Sequence, residues 1–352
     1  MPPTTPRPVI AIGGRTTATL SSALLEFAVS DDGTGPAQCV ARFTNWGPVD
    51  GAPGYLFFDQ KELDFGVGYR VLLGRTPIFD GLIVSIDGGF EAGGPPTVGV
   101  RAEDRLTALR GTRRTRTFTD LADAEVVRRI AAEHGLTARV TVAGPAYPTI
   151  AQLDETDFDF LRGRLARLDA EMWVEGTVLH VRPQAERSKA AIALRYGVEL
   201  RTFVVAADLA GQRTQWRLSG WDAGTGRGIV GTADESVVAG ELDGRRSGGA
   251  VVAKRFGSRA ETVVDLTLRS AADAQLVAAA GFRARARRFV VGQGECEPDT
   301  RVRVGAVVDL QGLGPLFSGR YRVVAVRHLF DLTQGLRTAF TVEAPGMGPS
   351  AS

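Results

Sequence analysis

Tyr321-Arg322-Val323-Val324-Ala325-Val326-Arg327-His328-Leu329-Phe330, with the connection Asp331-Leu332-Thr333-Gln334-Gly335 and the run that follows to Glu343, is the stretch that decides the fold. In its first arm Val324 and Val326 share one face, with Arg322 and His328 near its ends. In its second arm Thr338, Phe340 and Val342 face one way, while Arg337, Thr341 and Glu343 face the other. A period of two on both sides of a short polar connection predicts an antiparallel hairpin. The same alternation fixes its register, because a slip of one residue would turn every side chain over.

Working outward, short alternating runs separated by Gly, Asp and Pro recur through the first hundred residues: 24–29, 37–44, 69–73, 76–87 and 97–102. With 43 glycines in the chain, this pattern predicts many short antiparallel strands. Helical spacing is rare. Asp120 is placed to cap a helix running through Glu133, with Val126, Val127, Ile130 and Ala131 as its apolar stripe and Gly135 just past its end. Thr156 is placed to cap a second, carrying Phe158, Leu161, Leu165 and Leu168 on one side and Arg162, Arg164 and Arg167 mostly on the other. A small hairpin follows, turning at Glu175-Gly176. A third helix is predicted after Ser270, with Leu276, Val277, Ala280 and Ala284. Residues 110–185 therefore read as an α/β insertion between β-rich parts. Residues 240–249 read as a polar, glycine-rich loop or linker, and the first five and last eight residues as disordered tails.

Composition narrows the function. A chain of 352 residues suggests two or three domains. The 42 basic residues nearly cancel the 40 acidic ones, leaving +2, which gives no support to coating nucleic acid. The only lysines are Lys61, Lys189 and Lys254, an arginine bias that a GC-rich genome explains. Cys39 and Cys296 lie far apart without CxxC spacing and are expected as buried free thiols. The N-terminus lacks the pattern of a secretion signal and no stretch has the apolar length of a spanning helix, so synthesis and folding are expected in the cytoplasm.

No constellation of catalytic residues emerges. His134, His180 and His328 have no second histidine at ligand spacing, and structural roles are expected for all three. There is no GxSxG elbow. Asp154, Glu155, Asp157 and Asp159 resemble a carboxylate pair, but their place at a helix N-terminus gives negative charge a simpler purpose. A literal GxGxxG, 226–231, is followed by no helix of a βαβ unit and reads as a loop after a strand ending near Trp221. Arg283, Arg285, Arg287 and Arg288 form the densest basic cluster. A solvated face is the main reading of it, and a subunit contact or a lining for translocated cargo the minor one. Catalytic, cofactor and metal sites are accordingly expected to be none.

Three stretches resemble the phage late-control D family, the tail baseplate hub family shared with the hub region of VgrG spike proteins and contractile injection systems. One is Ala151-Gln152-Leu153-Asp154-Glu155-Thr156-Asp157-Phe158-Asp159-Phe160-Leu161-Arg162. Another runs from Asp120 to Val127 and on through Ile130-Ala131 to His134-Gly135-Leu136. The most specific runs from Gly305 through Val308, Gly312-Leu313-Gly314, 317–323 and Val326-Arg327-His328 to Thr338 and Phe340. Tyr196–Leu200 and Gly220-Trp221-Asp222 are similar too, so that the likeness spans most of 15–345.

The resemblance implies a β-rich α+β fold: two tube-like antiparallel β-barrel domains, 1–109 and 251–346, with the α/β insertion at 110–185. A β segment at 186–250 would complete or bridge the barrels, and 347–352 would be a disordered tail. It implies a non-enzymatic hub in a contractile tail baseplate, of a phage or of an injection system lacking a capsid. A homotrimer would adapt the sixfold inner tube to a threefold spike. The implied partners are the chain's own copies, an inner tail tube protein, other baseplate proteins and a spike expected on a separate polypeptide, since VgrG proteins continue past the hub and this chain stops near 350. No membrane and no specific nucleic acid are expected. The particle would assemble in the bacterial cytoplasm and then be released. A tail-associated cell-wall hydrolase and an isolated β-barrel binding protein are the competing readings.

Overall fold

The computed structural model describes residues 7–186, 190–222, 226–265 and 267–349. It is a β-rich α+β protein built on one 13-stranded sheet. The pairing path begins at the two-residue strand Arg15–Thr16 and its partner Val9–Ile12. It continues through Gly68–Leu73, Thr76–Gly89, Thr97–Glu103, Gln38–Thr44 and Leu24–Asp31, reaches Gly319–Asp331 and Gly335–Ala344, and ends at Val290–Cys296 and Leu200–Ala207. All five strands expected in the first hundred residues are present, and the alternation of core-facing and solvent-facing side chains is clearest in Gln38–Thr44 and Gly68–Leu73. Residues 1–5 and 350–352 of the expected tails lie outside the described residues.

The two halves of this sheet each pack on a core of their own. Ile10, Phe27, Phe43, Tyr69, Phe79 and Val100 fill the first. Leu194, Phe289, Val308, Tyr321, Phe340 and Val342 fill the second. The C-terminal hairpin belongs to both. The strand Gly319–Asp331 sends Tyr321, Val323 and Val326 into the second core and Phe330 into the first, where Leu336 joins it.

A β-bulge in this strand corrects the expected alternation. Val323 pairs with Val342 but the next pair is Ala325 with Thr341, which leaves Val324 as an extra residue. The bulge reverses the parity, so Val324 and Val326 do not share a face: Tyr321 and Val323 before it and Val326 after it all reach the second core, and the strand passes to the first core further on, at Phe330. The partner arm alternates as expected: Leu336, Thr338, Phe340, Val342 and Ala344 are all buried.

The insertion packs two helices on small sheets around Phe118, Val126, Val127, Ile130, Phe158, Leu161 and Leu165. Thr156 caps the helix Asp157–Ala166, its hydroxyl oxygen accepting from the Asp159 amide at 3.1 Å, and Gly135 takes φ +68° after the helix Asp123–Glu133. Asp120 is no cap. It lies in the strand Arg113–Ala122 with φ +53°, the helix begins three residues later, and the Glu125 carboxylate accepts from the Ala122 amide at 2.9 Å. The core also reaches back past residue 110 to Leu106 and Leu109.

A fourth core was not anticipated. The strands Gln215–Asp222, Arg227–Asp234 and Ala260–Val264 form a separate sheet, and the helix Ala271–Arg287 packs on it through Ala274, Ala278, Phe282 and Ala286. The expected boundary at 250 cuts through this unit, because Val238 and Leu268 share its core. Leu276 and Ala284, expected on the buried stripe, are exposed. Small residues replace them at the contact because the helix lies almost on the strand. A Cβ on Gly231 would stand 2.2 Å from the Ala274 carbonyl oxygen. The last glycine of the GxGxxG therefore sits within a strand and admits a helix backbone.

Two further expectations are corrected. Gly248 and Gly249, read as loop, open the helix Gly248–Phe256, with the Ser247 hydroxyl oxygen accepting from the Ala250 amide at 2.9 Å. The expected tail is ordered through its first residues: Gly346–Met347 pairs with Arg246–Ser247, Pro345, Gly346 and Gly348 are buried, and the Gly348 amide donates to the Leu316 carbonyl at 2.9 Å. Pairing with a strand 100 residues earlier in the chain leaves no local trace in the sequence. Among the described residues no helix is long and apolar enough to cross a membrane.

Candidate functional site

The residues singled out from the sequence are separated by the fold, and most are drawn into internal contacts. The acidic cluster divides. Asp154 is exposed and pairs with Arg113 at 3.0 Å, while Asp159 accepts from the Thr156 hydroxyl at 2.7 Å. Asp157 departs from the expected helix-end role. Its side chain is 1 % exposed and accepts from Arg116 Nη2 at 2.6 Å and Gln152 Nε2 at 2.9 Å, with His134 Nε2 at 2.8 Å. Burial alone would raise its pKa. Hydrogen bonds from His134 and Gln152 and the nearby Arg116 and Arg114 charges outweigh it and hold the carboxyl below its ordinary range.

Asp157 thus ties the strand Arg113–Ala122, the strand Ala146–Thr156 and the end of the first insertion helix to one carboxylate. Asp157→Asn leaves Arg116 under-compensated and costs about 3 kcal/mol, where a helix-end charge alone would cost no more than about 1 kcal/mol. Urea unfolding at pH 7 separates the two values.

His180 is buried and stacks on Trp173 with ring centroids 5.0 Å apart. His328 is buried at the seam of the two β units, in one cross-strand row with Cys296, Thr338, Val29 and Cys39, all inward-facing. Its Nδ1 lies 3.0 Å from the Thr338 hydroxyl. Burial lowers its pKa to about 4 against the opposing charge of Asp299. A histidine with a depressed folded pKa stabilises fully above its unfolded pKa, and stability is lost as pH falls from there to the folded value. Between pH 6.5 and about 4, the wild-type chain should therefore lose about 3 kcal/mol more stability than His328→Asn, measured by denaturant titrations across that window. Parallel profiles would remove His328 from the acid response. Burial also pushes up the thiols, Cys296 to about 12 and Cys39 further.

The arginine cluster is not simply a solvated face. Arg285 stacks over Trp216 at 4.3 Å, and Arg283 Nε donates to the Val237 carbonyl at 3.0 Å. Arg287, its side chain 5 % exposed, donates to both carboxylate oxygens of Asp169, at 2.5 and 2.8 Å, and both of Glu241, each at 2.7 Å. Gln184 Oε1 accepts from both Arg287 and Arg322, at 3.1 and 3.3 Å, and Arg322 pairs with Glu171. Three units meet here: Asp169, Glu171 and Gln184 come from the insertion, Arg287 and Glu241 from the fourth unit, and Arg322 from the second β unit. Sequence reasoning found the arginines. It missed Asp169, Glu171 and Glu241, which sit in three different local contexts.

What remains open to solvent is the outer face of the shared sheet. One cross-strand row there runs Thr202, Glu295, Ala339, Arg327, Ser30 and Gln38, crossing from the second β unit to the first without a break. The next runs Val204, Gln293, Thr341 and Ala325. Its charges are partly cross-linked, with Arg201 and Arg337 at 3.4 and 3.6 Å from Glu295. These rows mix small side chains with long polar ones, Glu295, Arg327, Gln38 and Gln293, and their residues include no nucleophile–base pair. Among the described residues no group of three or more His, Cys, Asp and Glu side chains could hold a metal ion.

Solved structures share this architecture over nearly all of its length. The chain superposes on the 43 kDa tail protein of prophage MuSo2 from Shewanella oneidensis with a TM-score of 0.72, at 12% identity, covering 96% of this chain and 98% of that one. For the tail protein from Neisseria meningitidis MC58 the TM-score is 0.70 at 12% identity, with 96% of each chain covered. For the E. coli c3393 protein, described as a component of the type VI secretion system with similarity to T4 bacteriophage tail proteins gp27 and gp5, the TM-score is 0.62 at 11% identity, covering 97% of this chain and 79% of that one. The fold is thus that of these tail proteins. The family model described as the Alg8 N-terminal domain matches residues 54–331, and the chain belongs to that family. No curated protein matches it in sequence.

Proposed function

We propose that this chain is a non-enzymatic structural subunit of a contractile tail baseplate, in a phage tail or a phage-tail-like injection system. Three copies form a hub ring that adapts a sixfold inner tube to a threefold spike. The observation that carries the reading is the two-way, nearly complete coverage of prophage tail proteins, since a shared module alone would leave part of one chain unmatched. Two β units per chain suit the symmetry, as three chains would present six.

The sheet also favours assembly. Its path ends at Leu200–Ala207, an edge strand with Val204 exposed, and at Val9–Ile12 with its short hairpin partner. Free edges of this kind invite pairing, and neighbours in a ring would cover them. The outer face of the shared sheet, running unbroken from one β unit to the other, suits a channel wall. Partners on this reading are the chain's own copies, a tube protein, a spike protein and other baseplate proteins, met in the bacterial cytoplasm before the particle is released.

Coexpression with the tube and spike proteins, followed by mass photometry and electron microscopy, should yield a threefold ring seated between them. A chain that stays monomeric with both partners present, or that hydrolyses peptidoglycan, would sink the proposal.

A further inference from the structure

The first β unit carries a short hairpin, Trp46–Val49 paired with Ala52–Tyr55, that turns at Asp50 and Gly51. Register sets Trp46 opposite Tyr55 and Pro48 opposite Pro53. Asn45, fully buried at its base, accepts from the Phe57 amide at 2.8 Å. On this support four rings gather. Centroids lie 5.4 Å apart for Trp46 and Tyr55, 5.3 Å for Tyr55 and Phe58, and 5.8 Å for Phe58 and Phe90.

The rings are nevertheless open to water: Trp46 is 44% exposed, Tyr55 48%, Phe58 37% and Phe90 65%. A Cβ on Gly88 would meet the Phe58 ring at 3.1 Å and the Phe90 ring at 3.2 Å, so two of the rings rest against the backbone. Rings held by one another and by backbone lose little freedom on binding. A contiguous exposed aromatic cluster marks an interaction site more often than chance.

Carboxylates predominate beside these rings in sequence, and an arginine near them, Arg42, lies 3.6 Å from Glu26. Asp50, Asp59, Asp87 and Glu91 are exposed, Glu62 is half-buried, and the nearby Lys61 is taken by Asp59 at 2.9 Å. Elsewhere this chain meets its rings with arginine: Arg164 over Tyr147 at 4.6 Å, Arg259 over Phe256 at 4.8 Å and Arg116 over Phe118 at 4.9 Å. Among the described residues no arginine lies over any of the four exposed rings. Ring faces bordered by carboxylates suit a guanidinium, which stacks on the one and pairs with the other. The two prolines lack amide donors, so the hairpin is poorly suited to receive an added strand and would engage a partner through its side chains.

We propose that this acid-rimmed aromatic hairpin grips an arginine-bearing surface of a second copy of the chain. The proposal rests on the ring-forming reading above and assigns part of its interface. A second copy fits because all but three of the 42 basic residues are arginine. Exposed ones such as Arg128, Arg217 and Arg227 make no ion pair among the described residues.

The test is mass photometry of the full chain across concentration and salt. It compares wild type with Tyr55→Ser/Phe90→Ser and with the surface variant Asp59→Arg/Glu91→Arg, with melting curves as the check on folding. Both variants should weaken trimer formation roughly tenfold or more at unchanged melting temperature, and salt should weaken the wild-type trimer. Trimers that form equally well in all three chains would overturn this contact and leave the ring reading standing. A wild-type chain that never trimerises, even with tube and spike proteins present, would overturn both. Variants that trimerise normally but no longer bind the tube or spike protein would assign the patch to that partner and reject the second copy.

Discussion

A chain ending at Ser318 does not fold cooperatively and enters no particle. The deletion removes both strands of the C-terminal hairpin, and with them Phe330 and Leu336 from the first core and Tyr321, Val323, Val326, Phe340, Val342 and Ala344 from the second. It also strips pairing from three flanking strands: Leu24–Asp31, Val290–Cys296 and Val307–Gln311 lose the neighbours that saturate their backbone groups. Each large apolar side chain lost from a core is worth about 2–5 kcal/mol, and the seven lost here, Ala344 apart, together amount to about 14–35 kcal/mol, against the roughly 5–15 kcal/mol that holds a domain folded. Circular dichroism on heating and limited proteolysis of the purified fragment give the readout. A sharp melt with a protease-resistant body covering residues 7–318 would show that the hairpin is an appendage, and the shared-strand account would fail.

The second large effect is at the three-unit junction. Arg287→Met should cost about 3–5 kcal/mol, because it leaves two carboxylates, Asp169 and Glu241, facing one another without their common cation. The guanidinium supplies four charge-assisted hydrogen bonds to them from a nearly dry position. Burial works against its charge, but the hydrogen bonds it donates to Glu241 and Asp169 prevail and raise its pKa. Chemical denaturation should show the loss. Hydrogen exchange should place it in the insertion and fourth unit, leaving the first β core protected. The triple replacement Arg287→Met, Asp169→Leu and Glu241→Met removes the orphaned charges along with the cation and should recover much of the loss. Failure to recover would mean that Arg287 acts mainly through its packing.

Strand positions were legible because burial acts residue by residue. The alternation at Gln38–Thr44 or Gly335–Ala344 records directly which side chains the sheet turns inward. The capped helix at Thr156 and the glycine ending at Gly135 were legible for a similar reason, as both satisfy backbone groups a few residues away. The near-zero net charge and a likeness to phage tail proteins were likewise legible in the chain itself.

What needed the tertiary structure were the pairings between distant parts of the chain. Asp157 meets Arg116 across 41 residues, and Arg287 meets Asp169 across 118. An acidic residue at a helix start looks the same whether it faces water or is itself buried against an arginine. The bulge at Val324 lies in a strand that serves two cores, and neither core is visible from that strand. The close approach at Gly231 depends on a helix that begins forty residues later, and the strand Gly346–Met347 depends on a partner at 246–247. Local pattern thus determined which residues face inward, but only three-dimensional proximity decided which of those faces met. Coulombic and packing energies depend on distance in space, which sequence separation does not report.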